Sequence, residues 1–161
     1  AIRKGEYEGL PEKLKDPEWN PDEGPGDFNP KSGATVVGAR FPLVAYNVNL
    51  KSEDVNLAKE IARRVRFKDG GFPHVRAMGV ELKEKGMVQV SMNLTNYRVT
   101  NLPKVYDFIK EEAIRRGVEI GGSEIVGLIP LAVLEGVVQH YLKYPEFSTN
   151  QVIEQRILEF E

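Results

Sequence analysis

Apolar and polar residues alternate along the middle of the chain in a way that predicts four β-strands. Residues 87–94 show the clearest alternation, with an apolar side chain at every second position. A period of two is typical of a strand with one buried face. Residues 43–50 and 75–83 predict two further strands, and a fourth begins at residues 118–120. Because a charged turn that ends in Gly86 joins the second and third strands, these two form a hairpin.

Two stretches with apolar residues at helical spacing lie between these strands. The first begins after Ser52, whose hydroxyl predicts a helix N-cap. The second begins at Pro103 and ends at Gly117. The apolar stripes of the two helices consist of Leu57, Ile61, Ala62 and Val65, and of Val105, Ile109 and Ala113. The order is therefore β-α-β-β-α-β, the ferredoxin-like plan of an antiparallel sheet with helices on one face.

The two ends of the chain add to this plan. Residues 131–142 predict a third helix, and a capping box of Ser148 and Gln151 begins a fourth. The first 41 residues form an arm rich in proline and glycine, in which five of the ten prolines lie before residue 31. We expect an ordered loop there, with a short helix within residues 2–14 and a short strand over residues 34–37.

The fold class predicted is α/β (α+β): a ferredoxin-like βαββαβ sheet with two extra C-terminal helices and an N-terminal arm. The arm, residues 1–41, forms one domain, and residues 42–161 form the other.

The predicted sheet has an unusual polar face. Asn47 and Asn49 of the first strand and Gln89, Ser91 and Asn93 of the third point away from the apolar side. Amides both donate and accept hydrogen bonds and cost less to dehydrate than charges, which suits a face that meets a ligand or another domain. An ordinary solvated face is the alternative. The absence of aromatic residues at these positions argues against an RNA-binding sheet.

Composition excludes several classes of function. The chain has 161 residues, a formal net charge of −2, no cysteine and two histidines. No apolar run is long enough to span a membrane, and no signal-peptide pattern is present. Near-neutral charge argues against nucleic acid as a partner, and so few histidines and cysteines predict no metal site. The lack of cysteine fits a cytoplasmic protein.

Candidates for acid–base chemistry are few. His140 is expected on a helix surface, and His74 lies in a loop without a serine or aspartate at a telling spacing. Asp107, Glu111 and Glu112 share a helix face and predict a solvated surface.

Another possible site follows the start of the fourth strand. The glycines before Ser123 would let backbone approach a ligand, although a plain strand exit is equally consistent. Glu124 lies in an otherwise apolar run and needs a partner if its side chain is buried.

The strongest candidate for a binding site is a segment of the arm that we call the glycine–proline loop (residues 24–33). Its small residues let a flat ligand approach the backbone, and its polar side chains offer contacts, although a purely structural loop is the alternative. The loop consists of Gly24, Pro25, Gly26, Asp27, Phe28, Asn29, Pro30, Lys31, Ser32 and Gly33.

Stretches spread over nearly the full length resemble one enzyme family, the glutamate formimidoyltransferases (formiminotransferases). In the first 41 residues the stretches are Ile2-Arg3-Lys4-Gly5-Glu6-Tyr7-Glu8, Asp16-Pro17-Glu18-Trp19 and Gly33-Ala34-Thr35-Val36-Val37-Gly38-Ala39-Arg40. Beyond them are Ala45-Tyr46-Asn47-Val48-Asn49-Leu50, Val88-Gln89-Val90-Ser91-Met92-Asn93-Leu94 and Gly122-Ser123-Glu124-Ile125-Val126-Gly127-Leu128-Ile129-Pro130-Leu131.

The resemblance implies a fold, an activity and a site. The family's transferase unit has two α/β subdomains with a folate site between them. Residues 1–41 resemble the end of the first subdomain and residues 42–161 the second, with the glycine–proline loop as a folate-contacting segment. The family reaction moves the formimino group of N-formimino-L-glutamate to tetrahydrofolate, its co-substrate, in histidine degradation.

The resemblance also implies what the chain lacks. The family's catalytic histidine lies upstream of the region that this chain matches, and neither His74 nor His140 corresponds to it, so no catalytic residue is assigned. We therefore expect a folate-binding and positioning portion that works with an N-terminal half or a second copy. The alternatives are a non-catalytic folate-binding or regulatory module and a ferredoxin-like association domain.

Overall fold

The computed structural model describes residues 4–158. The chain divides into two compact units, Ala1–Arg40 and Phe41–Glu161. We describe each unit by itself.

The first unit contains little regular structure. A short helix, α1, covers Leu10–Lys13, and a 3-10 turn covers Pro17–Trp19. The helix expected within residues 2–14 is thus only four residues long, and residues 1–3 lie outside the described part of the chain. The short strand expected over residues 34–37 is wrong, because no described residue supplies a hydrogen-bonded ladder for this segment.

The second unit has the ferredoxin-like order that the sequence predicts. Its strands and helices, in chain order, are β1 (Val44–Leu50), α2 (Val55–Val65), β2 (Val75–Leu82), β3 (Met87–Leu94), α3 (Leu102–Arg115), β4 (Ile120–Val126), α4 (Leu131–Tyr141) and α5 (Ile153–Leu158). The sheet order is β2-β3-β1-β4, and all neighbouring strands are antiparallel. No helix among residues 4–158 is long and apolar enough to cross a membrane.

Helix starts differ slightly from the sequence prediction. Asp54 rather than Ser52 is the N-cap of α2, and its Oδ1 accepts a hydrogen bond of 2.9 Å from the Asn56 N–H. Ser52 instead stabilises the turn before the helix, because its Oγ accepts a hydrogen bond of 3.1 Å from the Asp54 N–H. Asn101 caps α3, so Pro103 is the second helical residue. The capping box of Ser148 and Gln151 is confirmed.

The fourth strand is longer than expected. It begins at Ile120 and continues through Gly121 and Gly122 to Val126, so the two glycines lie inside the strand. The plain strand exit expected after Ile120 is therefore wrong. The register with β1 shifts between Asn49 and Leu50, next to these glycines, because glycine tolerates the irregular backbone of a bulge.

The core lies between one face of the sheet and the helices. The side chains that alternate along β1 and β3 toward this face are Val44, Tyr46, Val48, Leu50, Val88, Val90, Met92 and Leu94. All of them are buried, together with Ile61, Ala62 and Val65 of the α2 stripe and the whole α3 stripe, whereas Leu57 is half-buried. This arrangement confirms the period-two alternation that predicted the strands.

Helix α2 approaches the sheet most closely at Gly79 of β2. A Cβ placed on Gly79 would lie 2.3 Å from the Lys59 backbone nitrogen and 2.6 Å from the Ala58 carbonyl carbon. Backbone atoms cannot move aside as a flexible side chain can. The absence of a side chain at Gly79 therefore sets the distance between α2 and the sheet.

Replacing this glycine tests that packing. We expect Gly79→Ala to destabilise the chain by about 3 kcal/mol, because the added methyl group overpacks helix against strand. Gly136→Ala is the matched control: a Cβ at Gly136, within α4, meets no atom within 4 Å, so helix propensity should stabilise the chain by about 0.5–1 kcal/mol. Urea unfolding of both variants measures the difference. Equal stability of Gly79→Ala and the unaltered chain would contradict the close approach.

Candidate functional site

Four polar side chains meet on the face of the sheet opposite α2 and α3. We call them the amide–carboxylate cluster (Asn47, Asn49, Gln89 and Glu124). Register brings them together: Asn49 pairs with Gln89 of β3, and Asn47 pairs with Glu124 of β4. Directly opposed residues on neighbouring strands project to the same face. Three strands therefore contribute to one polar surface.

Hydrogen bonds join the four side chains. The Gln89 Nε2 donates to Asn49 Oδ1 and to Glu124 Oε1, each at 2.8 Å. The Asn47 Nδ2 donates to the same Glu124 oxygen at 3.0 Å. The three amides are 8%, 8% and 6% exposed for Asn47, Asn49 and Gln89, whereas Glu124 is exposed. The amides are thus ordered groups that hold an accessible carboxylate in place.

These bonds change the acidity of the carboxylate. The hydrogen bond from Asn47 and then that from Gln89 lower the pKa of Glu124 below its usual value, because both stabilise the charged form. Glu124 is therefore ionised at neutral pH. The other two polar residues of the predicted face are less buried than the cluster amides: Ser91 is half-buried and Asn93 is exposed.

The glycine–proline loop lies in the first unit and is anchored by Tyr7. The Tyr7 hydroxyl donates a hydrogen bond of 2.6 Å to the Pro30 carbonyl, and its ring lies 5.5 Å from that of Phe28. A Cβ on Gly33 would lie 3.3 Å from the Tyr7 ring. Gly33 also has a φ of 63°, which favours glycine. The loop is therefore an ordered structure.

Asn29 organises the middle of this loop. Its Oδ1 accepts hydrogen bonds from the Lys31 N–H at 2.9 Å and the Ser32 N–H at 3.2 Å. Its carbonyl accepts from the Gly33 N–H at 2.8 Å. A depression of about 390 Å³ lies against the loop, lined by Pro25, Asp27, Phe28, Asn29, Pro30 and Lys31. Apolar rings and polar groups thus meet at one concave surface.

Asp107, Glu111 and Glu112 were expected to form a solvated helix face, but two of them bond side chains of other helices. Glu112 is fully buried and contacts three arginines: Arg64 of α2 and Arg116 each bond its Oε2. Arg115 lies 2.7 Å from Oε1 but is not aligned to donate a hydrogen bond. This cluster joins α2 to α3, because a buried carboxylate requires compensating charge.

Asp107 has partners on another helix. It lies 2.7 Å from the His140 Nε2, and the Tyr141 hydroxyl donates to it at 2.9 Å. Burial and the Asp107 charge raise the pKa of Tyr141. Because α4 packs against α3, these three groups join the two helices. Asp107 and His140 are 33 positions apart in sequence, so no local pattern could reveal that they form a pair.

His74 is exposed and lies at the start of β2. Its backbone has a positive φ of 60°, and its carbonyl accepts bonds from Thr95 at 2.8 and 3.0 Å. No acidic side chain among residues 4–158 pairs with its ring. His74 therefore holds a turn, and its surroundings provide none of the orienting contacts that a general base uses.

A second concave surface lies where α3 and α4 meet the sheet. Its volume is about 290 Å³, and mostly apolar side chains line it, including Tyr46, Tyr106, Ser123, Leu134 and Tyr141. Burial raises the pKa of Tyr46, so its hydroxyl stays protonated. No group of three or more potential metal ligands occurs among the described residues. Glu124 also lines this groove, which therefore offers mostly apolar contact beside one carboxylate.

Comparison with known proteins assigns the chain to a family. The sequence model of the formiminotransferase domain matches residues 45–159, and that of the N-terminal subdomain of the formiminotransferase domain matches residues 1–40. Three relatives illustrate the similarity. A glutamate formimidoyltransferase of Streptococcus pyogenes serotype M1 is 42% identical over 158 residues, which cover 98% of this chain and 53% of the relative.

The other two relatives have similar levels of identity. A glutamate formimidoyltransferase of Thermoplasma acidophilum is 43% identical over 152 residues, 94% of this chain and 50% of the relative. The formimidoyltransferase-cyclodeaminase of Rattus norvegicus is 46% identical over 139 residues, 83% of this chain and 26% of the relative. The chain thus spans about half the length of the first two relatives. These matches confirm the resemblance found in the sequence, and the chain belongs to the formiminotransferase domain family.

Proposed function

We propose that this chain supplies the folate-binding and positioning surface of an enzyme that transfers the formimino group of N-formimino-L-glutamate to tetrahydrofolate. The observation that carries the proposal is the amide–carboxylate cluster, in which the buried amides of Asn47 and Gln89 hold one ionised carboxylate on a sheet face and Asn49 accepts a bond from Gln89. Such a surface binds a polar heterocycle better than it binds a hydrophobic partner. The family of the chain supports the choice of substrates.

The chemistry explains why positioning matters. The N5 amine of tetrahydrofolate attacks the amidine carbon, so one C–N bond forms and the bond to the glutamate nitrogen breaks. The proton lost from N5 is transferred to the glutamate nitrogen, which leaves as an amine. Holding two substrates in contact supplies a large share of the rate, and a general acid–base group must move the proton.

The described residues offer contacts that position substrates, but they offer no clear group for proton transfer. His74 holds a turn, and His140 bonds Asp107. Neither histidine is hydrogen-bonded to the amide–carboxylate cluster. We therefore propose that the proton-transfer group belongs to an N-terminal half that works with this chain.

The glycine–proline loop is also proposed as a folate contact, on the evidence of the first unit alone. Its support is the concave surface that Phe28, Pro25 and Pro30 form beside Asp27 and Lys31. An aromatic ring and prolines suit the flat faces of a pterin or benzoyl group, and the charged residues suit its polar edges.

The extended segment after this loop is proposed as a contact for an N-terminal half. Val36 and Val37 are 56% and 91% exposed in a stretch without strand partners among the described residues. Exposed β-branched residues on an unpaired backbone favour pairing with another strand. The N-terminal half of a family member would supply such a strand, and a second copy of this chain is the alternative occupant.

Reconstitution tests the proposed activity. We expect no formimino transfer by this chain alone and measurable transfer when it is mixed with, or fused to, the N-terminal half of a family member. Formation of 5-formiminotetrahydrofolate is followed by absorbance, with each half alone as control. Turnover by the isolated chain would contradict the proposal that the proton-transfer group belongs to the N-terminal half. Tight folate binding without turnover in the reunited protein would indicate a non-catalytic folate-binding module.

A single residue tests the loop. Asn29→Ala removes the side chain that accepts from Lys31 and Ser32, so the loop loses its ordered turn and we expect tetrahydrofolate binding to weaken about fivefold. Asp16→Ala is the control, because it removes a similar bond to the Glu18 N–H elsewhere in the same unit. Titration of the reunited protein, followed by Trp19 fluorescence, measures both variants. Equal affinity of the Asn29→Ala variant and the unaltered protein for tetrahydrofolate would contradict the loop's role in folate binding.

A further inference from the structure

Glu124 differs from the other carboxylates that the structure describes on this unit. Its Oε1 accepts two hydrogen bonds from nine-tenths-buried amides, which fix the side chain in one orientation. An ordinary exposed glutamate samples many rotamers and loses that freedom when it binds a ligand. Glu124 has lost it before any ligand arrives, so binding to this carboxylate costs less entropy.

The carboxylate has no counter-cation in contact. Among residues 4–158, no lysine, arginine or histidine nitrogen lies within 4.0 Å of Glu124, and Lys85 acts on it only at longer range. By contrast, Glu119 on the approach to the same strand pairs with Lys51 at 2.8 Å. The second oxygen of Glu124 accepts no hydrogen bond from a described residue. An ordered, ionised carboxylate therefore presents a free acceptor.

The surrounding amides determine which ligands fit. Anions are excluded, because the cluster holds a negative charge and contains no cationic side chain. Asn49 accepts from Gln89 but donates its own Nδ2 to no described residue, so a neutral donor remains beside the carboxylate. Groups that present two N–H donors in one plane match a carboxylate best, since both oxygens are used at once.

We propose that Glu124 binds a planar N–C–N fork of the substrate through its two carboxylate oxygens. This inference rests on the proposed function. Two groups of the proposed substrates share this chemistry: the amidinium of N-formimino-L-glutamate and the 2-aminopyrimidinone edge of tetrahydrofolate. Glu124 is then a binding residue that orients one substrate against the other. The carboxylates of either substrate bind elsewhere.

A charge-removing variant tests this role in the chain reunited with an N-terminal half. Glu124→Gln keeps the size of the side chain, and we expect it to weaken binding of the fork-bearing substrate by about 10- to 100-fold, the usual effect of losing a charge-assisted hydrogen bond. Glu81→Gln, at an exposed position of β2, makes the same charge change away from the cluster and should leave affinity unchanged. Thermal unfolding of both variants checks the fold.

Calorimetric titration with two pairs of ligands distinguishes the sources. N-formyl-L-glutamate lacks the amidine, and 2-desaminotetrahydrofolate lacks the exocyclic amine. If Glu124→Gln weakens only N-formimino-L-glutamate, the fork is the amidinium; if it weakens only tetrahydrofolate, the fork is the pterin edge. In either case the analogue without the fork should bind the variant and the unaltered protein equally.

Two results would overturn the inference. The first is unchanged affinity of Glu124→Gln for both substrates while the unaltered protein binds them, which leaves the proposed function standing. The second is an equal loss of affinity for substrates and analogues, which indicates general damage to the surface. If the unaltered protein binds neither substrate, the proposed function itself fails, and the inference fails with it.

Discussion

The pairing of β1 with both β3 and β4 is the constraint on which the rest of this unit depends. In this register, Asn49 faces Gln89 and Asn47 faces Glu124, while Val48 and Tyr46 face the helices. A slip of one residue would move two asparagines into the apolar core and two core residues onto the polar face. Burying unpaired amides costs several kcal/mol, so core packing and the polar cluster fix the same register.

The two faces of the sheet carry different tasks. On the helical side, the close approach at Gly79 and the arginines around Glu112 join α2 to the sheet and to α3. On the other side, the amides of Asn47 and Gln89 orient one exposed carboxylate. The helical side therefore carries the apolar core, and the other side carries the candidate ligand contacts.

Much of this architecture follows from local sequence patterns. Alternation along β1 and β3 predicted both the strands and the polar face, because a period of two assigns every side chain once one is known. The place of Glu124 in the cluster could not be predicted from β4 alone, since it depends on which strand lies beside β1. Likewise, Glu112 and Asp107 looked solvated because their partners Arg64 and His140 lie on other helices.

The error in the first unit has the same cause, a partner that lies far away in the sequence. Residues 34–37 have the composition of a strand, but a strand exists only when another backbone pairs with it, and propensity carries no information about the partner. The same limit applies to the glycine–proline loop. Its order comes from Tyr7, more than twenty residues upstream of Pro30, rather than from the prolines and glycines themselves.

If the amide–carboxylate cluster forms part of the proposed folate-binding surface, a bound folate must change the surroundings of its amides. Side-chain amide resonances of the reunited protein, recorded by ¹⁵N–¹H NMR during titration with the stable analogue 5-formyltetrahydrofolate, test it most directly. We expect shifts of the Asn47, Asn49 and Gln89 amide signals at the concentration that saturates binding, while those of Gln139 and Gln151, beyond β4 in the chain, stay in place. Saturable binding that leaves the three cluster amides unshifted would contradict it.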